Sequence, residues 1–362
     1  MNYAARRDKL RRIVRKQGLD ALLVTDAFNV TYLTGFTGDS TYLVLAADAS
    51  RLLSDERFTL QLEEECPDLE ASLRGAGKSL LDFAAEHLRA CGARRIGFEA
   101  DALTVTLRSG LADRLPEIGL QPTSGLVEAL RAIKDREEVA RIRRACELAR
   151  RTFEVVRARW TPDLTEREAA AELEYQARRF GARGLSFPPI VGVGPRAALP
   201  HGRPTDQRVA EGDFTLIDWG VQEGLYVSDL TRILVHSKIS PKLRRLYDLV
   251  LQAQQSAIAA IRPGVSCGDV DAAARNVLET AGYGKQFGHG LGHGIGLQVH
   301  ELPRLSRGQP GTLSAGMVVT VEPGIYLPGW GGIRIEDDVL VTRDGCEVLT
   351  SVPKQLDECV AG

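Results

Sequence analysis

The chain has 362 residues, 44% of them apolar and 26% charged, with a formal net charge of −2. That length is too great for one ordinary core and predicts two domains; the composition is that of a globular protein. The near-neutral balance argues against a nucleic-acid or anionic-membrane partner, since either needs a basic surface, and no apolar run is long enough to span a bilayer.

The first segment, MNYAARRDKLRRIVRKQGLD, is basic, but Leu10, Ile13 and Val14 fall at helical spacing and the stretch runs straight into the strand-like ALLVT. It predicts the first helix of the fold, its basic residues on a solvated face, rather than a targeting peptide. ALLVT, TYLVLAA and RRIGFEA then alternate with helix-like segments such as KSLLDFAAEHLRACG, which stops at Gly92, a C-cap residue. Gly35, Gly38 and Asp39 supply turn chemistry between the first two strands. These elements predict a smaller α/β domain over residues 1–128, with the boundary just ahead of a long amphipathic helix. In that helix Val139, Ile142, Cys146, Ala149, Phe153 and Val156 recur at three- and four-residue steps. Thr165 with Glu168 three residues on forms a capping-box pattern for the next helix. Two more helices are expected, over about 242–261 and after Ser266. The strand-like runs FTLIDWG, YVSDLTRILVH, MVVTVE and GIRIEDDVLV do not alternate one for one with these helices. Residues 129–362 therefore predict an α+β domain with an antiparallel sheet. None of the six cysteines is at C-x-x-C spacing, which predicts reduced thiols in a cytoplasmic protein.

The chemistry concentrates in this second part. Asp218 in IDWG, Asp229 in SDLTR, His293 in GHGLGHGIGLQVHE, Glu322 in VTVEPGIY and Glu336 in GIRIEDD are metal-type ligands in an ordered series. Four carboxylates and one imidazole carry about four negative charges at neutral pH, which two divalent cations cancel. Oxygen ligands with a single His suit Mn, Co, Fe or Zn. A carboxylate-bridged metal pair generates hydroxide and clamps a scissile carbonyl, so the chain reads first as a hydrolase. A tight turn between Glu223 and Gly224 would set Asp218 directly opposite Asp229. Alternation puts Arg334, Glu336 and Asp338 on one face of their strand, and Thr320 with Glu322 on one face of theirs, so all four acidic ligands are expected to project from strands. Glycines around His289 and His293 forbid a stable helix there. Of the histidines His201, His289, His293 and His300, one suffices to bind metal, and the others can donate to a developing oxyanion. Taken singly, each residue reads as a strand-face or turn residue, and Arg334 as an ordinary ion-pair partner; the ordered set is what carries the metal reading. Tyr226 and Tyr326 read as core or supporting residues.

At these motifs, and at NVTYLTGFTGDS in the first domain, nearly the whole chain resembles the creatinase/aminopeptidase superfamily of pita-bread fold, within it the proline-specific peptidases. The resemblance implies a creatinase-like first domain and a metallopeptidase second domain holding two divalent ions, Mn foremost and Co, Zn or Fe compatible. Asp229 and Glu336 match the bridging ligands, Asp218 the ligand of one ion, and His293 and Glu322 those of the other. Glu322 also matches the proton shuttle. His289 and His300 match histidines that support the substrate and tetrahedral intermediate, His201 one on the proline side, and Arg334 a partner of the carboxylates. Trp219, Leu291 and Ile233 depart from the usual residues without touching a ligand, and the first two are expected to alter pocket shape. The substrates implied are short proline-containing peptides. The short first domain and its GFTG segment lean toward aminopeptidase P over an Xaa-Pro dipeptidase. A methionine aminopeptidase would not need the first domain, and a metal-free amidinohydrolase or a non-catalytic binding module would not need all five ligands. The resemblance further implies a homodimer in which Arg57 of the neighbouring copy meets the substrate carboxylate.

Overall fold

In the computed structural model, which describes residues 1–361, the chain divides into one compact unit over Met1–Arg131 and a second from Ala132 onward. The first unit runs α1 (Tyr3–Lys16), β1 (Ala21–Val24), α2 (Ala27–Thr34), β2 (Tyr42–Ala46), β3 (Ser50–Asp55), α3 (Thr59–Glu65), β4 (Glu70–Arg74), α4 (Leu80–Ala90), β5 (Arg95–Glu99), α5 (Val105–Arg114), β6 (Gly119–Thr123) and α6 (Glu128–Arg131). Its six strands form one mixed sheet in the order β4-β3-β2-β1-β5-β6. β1 is buried along its whole length, as a near-continuous apolar run at the centre of a covered sheet should be. The basic face of α1 is not simply solvated. Arg6 is buried and donates to the Tyr32 carbonyl at 3.1 Å, and Arg7 donates to that of Leu33 at 2.8 Å. The guanidinium forks thus satisfy carbonyls that the last turn of α2 leaves unpaired.

The second unit begins with α7 (Arg136–Ala158) and α8 (Glu166–Arg179), each opened by a complete capping box, Asp135 with Glu138 and Thr165 with Glu168. It continues through β7 (Gly184–Leu185), β8 (Ile190–Val193), β9 (Phe214–Trp219), β10 (Val221–Glu223), β11 (Tyr226–Val227), β12 (Leu230–Val235), α9 (Pro241–Ala260) and α10 (Cys267–Thr280). It ends with β13 (Gly292–Gly294), β14 (Glu301–Leu305), β15 (Val318–Val321), β16 (Gly324–Leu327), β17 (Gly331–Arg334), β18 (Asp337–Val341) and β19 (Cys346–Val348). The ladders between these strands are antiparallel, in sheets ordered β12-β9-β8, β11-β10-β7, β14-β13-β15-β18-β19 and β16-β17. This is the expected α+β arrangement. All six cysteines are unpaired. Among the described residues, no helix is long and apolar enough to cross a membrane.

Alternation along β9 and β12 sorts side chains between two cores. Ile217, Trp219, Leu230 and Leu234 pack with Leu148, Phe153 and Leu173 of α7 and α8. Phe214, Leu216, Ile233 and Val235 pack with Leu246, Val250 and Leu278 of α9 and α10. By strand parity, Asp218, Asp229 and Thr231 continue the second face. The register differs from expectation: Thr231, not Asp229, lies opposite Asp218, and Gln222 pairs with Val227. The turn therefore centres on Gly224–Leu225, with Gly224 at φ +56°. A slip of two residues preserves the face, so both aspartates still point the same way. The strand placement is also corrected. Of the four acidic residues only Asp218 lies inside a strand; Asp229 precedes β12, Glu322 follows β15, and Glu336 sits in the break between β17 and β18. The chain changes sheets at that break, with β17 pairing to β16 and β18 to β15.

Candidate metal centre and active site

One cavity of about 760 Å³ is lined by Asp218, Asp229, His293, Glu322 and Glu336, together with His201, His289, His300 and Arg334. The five candidate metal ligands and the four candidate His and Arg partners therefore meet in one place. Asp229, His293 and Glu336 each offer a ligand atom, and these atoms lie within 4.8 Å of one another. His293 Nε2 is 3.3 Å from Glu322 Oε1 and 3.9 Å from Asp229 Oδ2. Its Nδ1 lies 3.2 Å from the Gly294 carbonyl; a proton held there turns Nε2 to the carboxylates, where it donates to Glu322 while protonated and offers its lone pair to a metal ion once that proton is lost.

β13 brings His293 this close because of the glycines beside it. A Cβ at Gly292 would run into the Thr320 carbonyl, and one at Gly294 into that of Leu302. The glycines that forbid a helix thus also let this strand squeeze between β14 and β15. Thr320 Oγ1 accepts from His293 N at 3.1 Å and donates to Glu322 Oε1 at 3.3 Å, tying the two residues together.

A second network holds the other side. Arg334 donates from Nη2 to Asp218 Oδ2 (2.6 Å), from Nε to Thr231 Oγ1 (3.0 Å) and from Nη1 to Tyr326 Oη (2.8 Å). The Thr231 hydroxyl in turn donates to Glu336 Oε2 at 2.6 Å. Tyr326 Oη lies 2.9 Å from His289 Nε2, and His289 Nδ1 lies 2.8 Å from the Gly290 carbonyl. Because a carbonyl only accepts, the neutral His289 ring carries its proton on Nδ1, so Nε2 accepts from the Tyr326 hydroxyl and both ring nitrogens are engaged. The His293 and His300 rings stack edge to face at 4.3 Å.

Thr231, Tyr326 and Asp338 therefore belong to the site. Asp338 Oδ2 accepts from Asp229 N at 3.0 Å and from Cys146 Sγ at 3.3 Å. Only the strand parity that puts Asp338 on the face of Glu336 pointed to it from sequence. Trp219 and Leu291 do not line the cavity, contrary to expectation. Alternation turns Trp219 toward α7, where it stacks on Phe153 at 4.6 Å. Leu291 is buried and serves through its backbone, its carbonyl accepting from Glu322 N at 2.8 Å.

The electrostatics call for cations. Burial, reinforced by Glu336 and Asp218, pushes the Asp229 carboxyl well above the usual carboxylate range. Burial, with the charges of Glu322 and Asp218, does the same to Glu336. Asp218 is raised by burial against the pull of Arg334. Burial also opposes ionisation of Glu322, but its hydrogen bond and charge interaction with His293 hold it below its ordinary value. Four carboxylates face one guanidinium, and such a group needs protons or metal. Asp218 Oδ1 is buried with no hydrogen-bond partner among the described residues, an orphan acceptor that a hard cation satisfies. The donor set, mostly carboxylate with one imidazole, fits divalent ions.

Comparison with known proteins agrees. The Creatinase/Prolidase N-terminal domain matches residues 6–133, and Metallopeptidase family M24 matches residues 140–343. A solved Xaa-Pro dipeptidase from Bacillus anthracis is 37% identical and superposes with a TM-score of 0.94, covering 98% of this chain and 99% of that one. The Xaa-Pro dipeptidase of Pyrococcus furiosus is 34% identical over 352 residues, 97% of this chain and 99% of its own. The structure of an X-Pro aminopeptidase from Thermotoga maritima is 34% identical with a TM-score of 0.87, covering 95% and 99%. The chain belongs to metallopeptidase family M24: it is a metallopeptidase of pita-bread fold, built for divalent metal ions, behind a creatinase/prolidase N-terminal domain.

Proposed function

We propose that this chain is a dinuclear-metal Xaa-Pro dipeptidase, hydrolysing the bond between an N-terminal residue and a C-terminal proline. The observation that carries this reading is Arg304. It lines the cavity, it pairs across the β13–β14 ladder with His293, and its side chain is exposed. A dipeptide's proline ends in a free carboxylate that a guanidinium recognises by a charge-assisted fork; the proline of a longer peptide offers none. Solved and curated relatives named Xaa-Pro dipeptidase, at 34–37% identity, support the same choice. The lean toward aminopeptidase P, drawn from the short first domain and the GFTG segment, gives way to them. Arg304 has no local motif, and only the strand pairing brings it beside His293.

Asp229 and Glu336 would be shared between two ions, Asp218 would complete one, and His293 and Glu322 the other. Bound there, the ions supply Lewis acidity toward the scissile carbonyl and a source of hydroxide at neutral pH. Glu322, kept anionic beside His293, takes the proton of the attacking water and delivers it to the departing proline nitrogen. His300 donates to the carbonyl oxygen as it becomes tetrahedral. His289 steadies Tyr326 and, through it, Arg334. His201 borders the proline. An X–Pro amide has no N–H for backbone recognition and a ring-fixed φ, so selectivity has to come from side chains such as these. Manganese is the first choice of ion, with Co, Zn and Fe compatible. We take the enzyme to act in the cytoplasm as a homodimer.

The test is hydrolysis of an Xaa-Pro dipeptide and an Xaa-Pro-Yaa tripeptide by metal-stripped protein, with and without Mn²⁺. Metal-restored cleavage of the dipeptide alone is expected. Tripeptide cleavage at comparable kcat/KM would return the aminopeptidase reading.

A further inference from the structure

The alternation that turns Glu336 and Asp338 toward the site turns Asp337 away from it. Asp337 is 1% exposed, yet four side chains donate to it. Arg232 Nη2 at 2.7 Å and Thr350 Oγ1 at 2.6 Å reach Oδ1; Gln254 Nε2 at 2.9 Å and Lys354 Nζ reach Oδ2. Burial works against ionisation here, but Arg232 and Lys354 together outweigh it and hold this carboxyl below its ordinary value. Lys354 Nζ also donates to Gln254 Oε1 at 3.0 Å.

Arg232 is likewise 1% exposed and spends its remaining donors on backbone. Nη1 donates to the carbonyls of Thr231 at 2.9 Å and Glu336 at 2.5 Å. Nη2 donates to Val352 O at 2.7 Å, and Nε to Pro353 O at 3.1 Å. Thr231 is the residue whose hydroxyl fixes Glu336 Oε2, and Asp229 lies two residues before it. Arg232 thus grips the main chain on both sides of the site, behind the side chains that face the cavity. The far end of the grip is the chain's last segment. Thr350, Val352, Pro353 and Lys354 hold Arg232 and Asp337, although none of them lines the cavity. Buried ion pairs gain a fold little over apolar packing of the same volume, whereas a ligand set does need its spacing fixed by a rigid surrounding shell.

We propose that residues 350–354 act with Arg232, Asp337 and Gln254 as a positioning bolt, which sets the spacing of Asp229 and Glu336 and thereby the affinity for divalent ions from outside the cavity. The proposal rests on the two-ion reading above. It makes Lys354 and Thr350 positioning residues in a segment that carries no ligand.

The experiment is calorimetric titration of Mn²⁺ into metal-stripped wild type, Lys354→Met, Lys354→Arg and Thr350→Val at 25 °C, with thermal unfolding of the same stripped proteins. Lys354→Met should weaken Mn²⁺ binding about tenfold, Thr350→Val about threefold, and Lys354→Arg should recover most of the loss. Affinities within twofold of wild type in Lys354→Met and Thr350→Val, even with a lower unfolding temperature, would reduce the cluster to fold stabilisation and overturn the proposal. Should Lys354→Met not fold, Thr350→Val, which removes one hydroxyl, decides the matter alone. Uptake of fewer than two ions by wild type would instead overturn the two-ion reading, a result independent of the variants.

Discussion

A guanidinium that meets a free carboxylate contributes roughly 1.5–3 kcal/mol through charge-assisted hydrogen bonds. Arg304→Ala should therefore raise KM for an Xaa-Pro dipeptide about ten- to a hundredfold with kcat little changed, and should leave an Xaa-Pro amide, which lacks the carboxylate, unaffected. Equal losses on acid and amide would remove Arg304 as the carboxylate receptor. Arg57 is a weaker candidate for that role, since its Nε and Nη2 are already committed to Asp55 at 2.9 and 2.8 Å. Glu99 offers a residue-scale test away from the catalytic cavity. It is 8% exposed, and burial pushes it up to about 7 although the backbone amides of Asp26 and Thr25 donate to it. Its folded value lies above the unfolded value of about 4.3, so the associated stability is full below that value and is lost as pH rises toward 7. Between pH 5 and 8 the stability gap between wild type and Glu99→Gln should move by about 2–3 kcal/mol in favour of the Gln variant. Parallel urea-denaturation profiles at the two pH values would disprove the shift. The acidic residues and His293 that line the cavity were legible because each sits in a short local motif. Arg304 and Thr231 were not, because each matters only through what a neighbouring strand brings beside it.

Among elements, the helices were read most easily, since their starts are written in caps. Asp135, Thr165, Ser240 and Ser266 each accept a backbone N–H from the helix they open. Strand register has no such local marker. The turn in VQEGLYV admits two centres, and the true one depends on Gly224 taking a positive φ and on Gly220 packing where a Cβ would strike the Ser228 carbonyl. The break at Glu336 was equally hidden, because GIRIEDDVLV alternates without interruption while the chain changes partner strands midway. β13 is the element whose geometry is most exposed to test. Gly292→Ala would force β13 and β15 apart at the Thr320 carbonyl, and Thr320 is the residue that ties His293 to Glu322. A displacement of about 1 Å at the chemistry costs on the order of a hundredfold. Gly292→Ala is therefore expected to lower kcat/KM by about that factor, with a reduced unfolding temperature, while Gly288→Ala, where a Cβ meets nothing within 4 Å, should change neither. Full activity in Gly292→Ala would show that the close approach is dispensable.

At the scale of the molecule, length and the shift in patterning were enough to predict two domains, because a single core stops growing near this size. The coupling between ligation and stability was not legible, because it arises from the mutual repulsion of groups far apart in sequence. Asp229 and Glu336 are each raised well above the carboxylate range by burial and by neighbouring carboxylates, so the fold encloses a cluster that opposes its own ionisation. Divalent ions turn that repulsion into attraction, and an ion that binds only the folded chain stabilises it by about 2.7 kcal/mol at a hundred times its Kd. Asp229→Asn separates the two effects. It removes one of the repelling charges while keeping the volume, and it removes a carboxylate oxygen that lies within 4.8 Å of ligand-type atoms of both His293 and Glu336. In chelator, the Asn variant should unfold at or above the wild-type temperature. In excess Mn²⁺, wild type should gain several degrees and the variant little, with dipeptide hydrolysis lost. Calorimetric scans of both proteins with EDTA and with Mn²⁺ measure all four values. A stripped Asn variant that melts well below wild type would mean that Asp229 holds the fold through its backbone neighbours rather than burdening it with charge, and an undiminished Mn²⁺-dependent gain would mean that the ions are held without it.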